Sequence, residues 1–490
     1  MTYSGLISFF AGLLNIGSGL IFTTIITRTL EPEQFGTWNV ISGLLIYSVV
    51  FDSIISYWST RETARGINSG RTAIFGNSLL SIVGIGIYFV SGFLFGSYSF
   101  IDISFIILAA ILIPLRYIQK SISGINNAHK PHVVNTSLLV SEICKVPLGY
   151  IFVFQLELGI VGIILAFFGS HIINIIIQLF FAKEKLLENI QRKYVRKWLE
   201  FSWLSLYPRI GTLLFRTDVI VFPLIINSVI GVAFFSASLV IANIVNFATA
   251  MAAGSYGKLL GGDKNKFIRI NFTHTIYVSI PLLALSLGFA KPALFILNPE
   301  YQIAIFVVIL LSFRMFLYSI NAVLSQYLSG AEKVDTGKFT LKQIISSKLF
   351  VIPTWNLIQN TGFIIILVSM LLVMKMSDTS EIKLVEFWAL IGLITQLPLT
   401  IYLIRKAKDE FGKLCYEKSV VKYILGGIIS FVVLFELQNN FLVYVNDLTY
   451  FVLNTFGYAL IGISTYIGIT YLIDLKIREL INEIIKRIIR

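Results

Sequence analysis

From residue 5 to residue 473 the chain is a succession of apolar runs, each close to or above the ~20 residues that an α-helix needs to cross a hydrocarbon core. Fourteen are read, at 5–27, 37–60, 73–96, 100–120, 133–155, 158–182, 203–227, 231–254, 268–290, 302–328, 340–374, 384–404, 420–442 and 449–473. None shows the period-two alternation of a barrel strand. Inside lipid only helices and closed barrels satisfy their backbone hydrogen bonds, so an all-α integral membrane protein with about 14 transmembrane helices is expected. The composition, 56% hydrophobic and 13% charged, excludes an ordinary soluble domain. The eleventh run is overlong and holds Pro353 and the polar stretch TWNLIQN. It reads either as one span or as a surface helix followed by a shorter one, which leaves 12 to 14 spans.

Lys and Arg collect in cytoplasmic loops. Of the 39 basic residues, 31 fall on one side of this topology, including Arg61, Arg65 and Arg71 after the second run, Arg116, Lys120 and Lys130 after the fourth, and the group from Lys183 to Lys197 after the sixth. The opposite loops hold Arg28, Lys291, Lys375 and Lys383. A multi-pass protein of the cell (plasma) membrane with cytoplasmic N- and C-termini is expected. The net charge of +13 then reflects topology, and no nucleic-acid partner is called for. Membrane lipids are natural partners of the basic loops, and a monomer is expected.

A weak internal repeat organises the chain. Gly36 opens GTWNVISGLLIYSVV, and Gly231 opens GVAFFSASLVIANIV 195 residues later. SGINNAHK (123–130) and SGAEK (329–333) each follow the fourth run of a set of six. An even number of helices per repeat implies two six-helix bundles of the same orientation, related by a pseudo-two-fold axis along the membrane normal. The expected organisation is an N-terminal bundle (1–182), a cytoplasmic amphipathic linker (183–202) and a C-terminal bundle (203–404). Additional helices 13 and 14 (405–474) and a cytoplasmic amphipathic basic tail helix (475–490) follow.

Charges within spans cost about 2.5–3.5 kcal/mol to insert, so they face partners or a wet cavity. The candidates are Asp52, Glu142, Lys145, Arg209, Arg216, Asp218 and Arg314. In a continuous helix Arg209 and Arg216 share a face at roughly 10 Å separation, and Ser205 and Thr212 lie on the same face. Arg314, Tyr318, Asn321 and Ser325 repeat the pattern in the tenth run, and Ser48, Asp52, Ser56 and Ser59 in the second. Glu142 and Lys145 are three apart and can neutralise each other. A guanidinium donates two parallel hydrogen bonds to phosphate and stays protonated when partly desolvated. Arg216, Arg314 and Arg209, with Arg28 at the end of the first run, are therefore candidate substrate-binding residues. The alternative is structural pairing with Asp218 and Asp52 across helices. Asp218, Asp52 and Glu142 are ion-coupling residues for Na+ or H+, or structural ones.

The stretch TRTLEPEQFGTW (27–38), the turns after runs four and ten, and Arg-Thr-Asp followed by Gly231 resemble the pattern of O-antigen flippases (Wzx type) for polysaccharide biosynthesis. These belong to the multidrug/oligosaccharidyl-lipid/polysaccharide exporter superfamily. Glu31 departs from the glycine expected before Pro32. The resemblance implies a flippase that moves an isoprenoid-diphosphate-linked oligosaccharide from the cytoplasmic to the outer leaflet by alternating access. One alternative is a cation-coupled drug or metabolite antiporter of the same superfamily. A second is a membrane-embedded polyprenyl-dependent glycosyltransferase, which would need an acidic metal motif or a large outer loop. The longest outer loop, near 375–386, is short, and no P-loop or metal-ligand set is present, so no enzyme activity, cofactor or metal is expected.

Overall fold

The computed structural model describes residues 3–96, 101–200, 202–249, 264–330, 345–377, 379–445, 447–479 and 481–482. Among them there is no β-strand, and helices fill the apolar runs as the bilayer's demand for internal hydrogen bonds requires. In chain order these are α1 (Tyr3–Thr29), α2 (Pro32–Ser48), α3 (Asp52–Ala64), α4 (Gly70–Gly96), α5 (Ile103–Ala109), α6 (Leu112–His129), α7 (Pro131–Gly149), α8 (Gly159–Ala182), α9 (Arg192–Glu200) and α10 (Trp203–Phe215). They continue with α11 (Asp218–Ile226), α12 (Ile230–Ala242), α13 (Lys264–Gly288), α14 (Ala290–Leu297), α15 (Ile305–Gly330), α16 (Lys348–Lys375), α17 (Glu381–Phe411), α18 (Glu417–Asn440) and α19 (Leu448–Ile473).

Ten helical stretches among the described residues are long and apolar enough to cross a membrane, or eleven if α2 and α3, bent by 54°, form one span. The chain is an all-α multi-pass membrane protein. The remaining three runs are also helical: α1 fills the first, α10 and α11 divide the seventh, and α12 with a 3-10 stretch at Val245–Thr249 fills the described part of the eighth. The eleventh run is one helix of 28 residues that contains Pro353; residues 340–344 lie outside those described.

Several local expectations change. The fourth run does not end near 120: α6 continues to His129, because Ile113, Tyr117, Ser121 and Gly124 keep the spacing of one buried helical face. Most of SGINNAHK is therefore helix and not a turn, and Arg116 and Lys120 ride inside the span Ile103–His129 instead of a loop. The linker is not one surface helix but a 3-10 stretch at Lys183–Leu186 followed by the short α9. SGAEK from residue 331 on and the tail from 483 on lie outside the described residues.

Backbone packing divides the chain into two compact units, residues 1–236 with 353–384 and residues 237–352 with 385–490. The halves read from the repeat are drawn on sequence, these units on packing. In the first, a buried polar ladder ties α6, α7 and α8: Asn126 Nδ2 donates to the Gln178 carbonyl (3.0 Å), Gln178 Nε2 to Asn174 Oδ1 (2.6 Å) and Asn174 Nδ2 to Ser141 Oγ (3.2 Å). Between helices in lipid, where apolar burial supplies no net drive, such bonds contribute.

Both glycines of the repeat mark close approaches in this unit. A Cβ on Gly36 would lie 2.1 Å from the Val229 carbonyl oxygen, and one on Gly231 would lie 2.5 Å from the Phe222 ring. The Gly231 N–H also donates to Glu381 Oε1 (2.6 Å). Glu31 is extended (φ −65°, ψ 154°), so glycine has no conformational advantage there and the departure from the family pattern costs nothing.

In the second unit α18 and α19 pack with α13. Tyr466 Oη donates to the Tyr277 carbonyl (2.8 Å), and Ser430 Oγ donates to the Gly462 carbonyl (2.8 Å). Ile477, at 1% exposure, belongs to the same core, so the first turn of the tail is docked on this unit.

Candidate functional site

Two of the spans that carry intramembrane charges are broken, and the breaks decide where the charges sit. After α2 the hydrogen-bond ladder tightens to i→i+3 bonds, Val50 N to Tyr47 O (3.4 Å) and Asp52 N to Val49 O (3.2 Å), before α3 begins at Asp52. After α10 the same happens: Arg216 N bonds Leu213 O (3.0 Å), Thr217 N bonds Leu214 O (3.2 Å), and α11 begins at Asp218. Neither break contains Gly or Pro. Each is held by neighbours instead. Tyr117 Oη donates to the Ser48 carbonyl (2.8 Å). Buried Asn77 reaches the Asp52 and Tyr117 carbonyls (3.3 Å each) and Ser121 Oγ (2.6 Å). At the second break Tyr47 Oη donates to the Leu213 carbonyl (3.1 Å) and also hydrogen-bonds the Thr217 hydroxyl.

Both intramembrane aspartates thus open the first turn of a new helix segment, where unpaired N–H groups and the helix dipole favour a carboxylate. Asp218 is 3% exposed and accepts from the Val219 N–H (2.9 Å). Asp52 is half-buried. The stripes expected on continuous helices are corrected accordingly. Arg216 is the residue that closes α10, so the seven-residue spacing from Arg209 ends at a break, and the spacing from Ser48 to Asp52 crosses one.

Asp52 lies at the centre of a charged group within the first unit. The charges that act on it are Lys120, then Arg209, then Arg116. Arg116 in turn senses Asp52 and Glu142. Arg116 is exposed, and Lys120, Arg209 and Asp52 are half-buried. Among the described residues none of the four makes an ion pair within 4.0 Å. Three cations thus act on one carboxylate, and this electropositive excess attracts an anion that can approach all of them.

The other predicted residues are placed as follows. Glu142 and Lys145 pair, as their spacing suggests. The Lys145 ammonium, in a residue 6% exposed, also sits over the rings of Phe22 (5.0 Å) and Phe167 (4.9 Å). Arg216 is half-buried, and its guanidinium lies 5.9 Å from the Phe215 ring. Arg28 is half-buried in the last turn of α1. Arg314 belongs to the second unit and is 1% exposed. It packs on Gly392, where a Cβ would come within 2.6 Å of the guanidinium carbon. Arg209 and Asp52 are thus brought together in one unit, while Arg314 is sealed within the other.

Arg116, Lys120, Tyr47 and Asn77 were missed by the sequence reading. Arg116 and Lys120 count as loop charges in that reading, although the 3–4 spacing of Ile113, Tyr117, Ser121 and Gly124 runs past them and marks a helix that continues. Tyr47 and Asn77 carry no local signal, because their partners are 166 and 40 residues away.

No protein-family model and no curated protein matches the chain. Solved structures do. The lipid II flippase MurJ in an inward closed conformation matches with a TM-score of 0.66 at 15% identity, over 98% of this chain and 100% of that one. An inward-facing multidrug resistance MATE family transporter of the MOP superfamily matches with a TM-score of 0.59 at 12% identity, over 83% and 98%. A MOP superfamily transporter from Pyrococcus furiosus Vc1, described as having a binding pocket of reverse polarity, matches with a TM-score of 0.52 at 13% identity, over 83% and 95%. The chain therefore has the fold shared by MATE and MurJ transporters.

Proposed function

We propose that the protein is a flippase that carries an isoprenoid-diphosphate-linked oligosaccharide across the membrane by alternating access. The observation that carries this reading is the part-exposed group of Arg116, Lys120 and Arg209 around Asp52, which we read as an open recess. A diphosphate presents several acceptor oxygens, which guanidinium forks bind in pairs and an ammonium binds as a point charge. In the empty recess Asp52 partly offsets the cations. An arriving diphosphate competes with Asp52 for them, and the same carboxylate assists release because it reclaims the cations when the headgroup leaves. Arg216 and Arg28 are assigned to the path of the saccharide, and the remaining intramembrane acids, Asp218 and Glu142, to structure.

The match to a lipid II flippase supports this choice within the superfamily. Coverage of 98% of the chain leaves only about 10 residues out, so it takes in α18 and α19. A second reading, a cation-coupled drug antiporter, draws on the MATE match. It fits the recess poorly, because an excess of positive charge repels a cationic drug.

The test is transport by purified protein in liposomes, with a fluorescent polyprenyl-diphosphate-linked disaccharide as substrate and loss of accessibility to a membrane-impermeant quencher as readout. Wild-type protein is expected to translocate this lipid, and Arg116→Ala with Arg209→Ala to abolish the movement. Translocation of a cationic dye in place of the lipid would overturn the proposal in favour of the antiporter.

A further inference from the structure

Helix α9 carries a second feature that the substrate recess does not use. Its inner face is anchored: Trp198 is fully buried beside Ile54, Ile55 and Ala73, and the Gln191 N–H donates to Thr72 Oγ1 of α4 (3.0 Å). Successive residues on a helix diverge by about 100°, so fixing Trp198 inward turns Arg192, Arg196 and Leu199, at spacings of four and three, along one flank. That flank faces Phe75 and Leu79 of α4, and between them lies an open groove of about 640 Å³. Its floor is apolar and accessible, with Phe75 37%, Leu79 48% and Leu199 42% exposed. Its rim carries two cations, Arg192 and Arg196, and one carboxylate, Glu200. Arg196 makes only a solvent-exposed contact with Glu200 (3.5 Å), and Arg192 has no acidic partner within 4.0 Å among the described residues.

Phe75 and Leu79 lie in the first three turns of a membrane-crossing helix, roughly 7 to 14 Å from its start at 1.5 Å per residue. That is the depth at which headgroups give way to acyl chains. We propose that this groove is a binding site for an anionic phospholipid, whose phosphate meets Arg192 and Arg196 and whose acyl chain lies on Phe75, Leu79 and Leu199. A headgroup alone would leave the floor bare, and a neutral lipid would leave Arg192 without an anion and Arg196 with only its exposed contact to Glu200. Because α9 also closes over α3, the helix that begins at Asp52, bound lipid steadies the wall of the recess from outside.

The test is native mass spectrometry of the full-length protein released from nanodiscs of equal parts phosphatidylcholine and phosphatidylglycerol. Wild-type protein is expected to retain phosphatidylglycerol about tenfold over phosphatidylcholine, and Arg192→Gln with Arg196→Gln to remove the preference, in keeping with the contribution of each interfacial cation. Arg192→Lys with Arg196→Lys should keep part of it. Equal retention of the two lipids by wild-type protein, or an undiminished preference in the glutamine variant, overturns the site. As a readout on unaltered protein, a phosphatidylglycerol with a photoreactive acyl chain should label the Phe75–Leu79 turn, and labelling confined to other helices overturns it as well.

Discussion

In the first unit Asp52, Arg116, Lys120 and Arg209 are each half-buried or exposed and make no direct ion pair, while in the second Arg314 is 1% exposed and pressed onto Gly392. Both units meet the cost of a charge inside a membrane, by different routes. The first leaves its charges part-exposed, so they stay available to a ligand. The second encloses the charge among packed atoms, where its loss leaves a hole. Accessible cations can therefore be exchanged with little harm to the fold but with large consequences for binding. For the enclosed one the order is reversed.

The largest effect is expected from Arg314→Ala. It should cost about 3–5 kcal/mol of stability, the range for truncating a large, fully buried side chain to alanine, as read by thermal unfolding in detergent. A loss under about 1 kcal/mol, the range of an ordinary surface change, would erase the contrast between the units. Reversal of the accessible cations comes next. Arg116→Glu with Lys120→Glu should slow lipid translocation about a hundredfold, or ~2.7 kcal/mol, with the unfolding temperature nearly unchanged. If unfolding falls as far as in the Arg314 variant, the first unit's charges are structural too.

Asn77→Ala removes the donor that holds the Asp52 and Tyr117 carbonyls and should cost about 1–3 kcal/mol. Comparison with Ser121→Ala and the double variant measures how much of that loss belongs to their shared bond, and additivity would show the two to be independent. The smallest effect belongs to Tyr47→Phe. It takes the hydroxyl from the Leu213 carbonyl and should cost about 1 kcal/mol. No change at all would mean that the break after α10 does not depend on Tyr47.

The helices themselves were legible in the sequence because their cause is local. A run of apolar residues long enough to span hydrocarbon has one hydrogen-bonded solution, and Glu142 and Lys145 three residues apart on one helix meet with no help from elsewhere. The site was only half legible. Asp52 and Arg209 could be picked out as charges in apolar runs, but Arg116 and Lys120 looked like the end of a span. Position along a run does not reveal whether a neighbouring helix offers water or lipid.

What the sequence determined by itself is the membrane-spanning α-helical class, the positions of the apolar runs and the residues chemically able to hold a phosphate, since each follows from side-chain solubility and helix periodicity. The tertiary structure decided where α2 and α10 end. Tyr117, Asn77 and Tyr47, distant in the chain, supply hydrogen bonds to carbonyls at the breaks, so a helix can stop inside a membrane at a point that holds neither Gly nor Pro. It also decided which charges are part-exposed and which are sealed. Burial depends on the helices that pack around a residue, which the chain specifies only once it is folded.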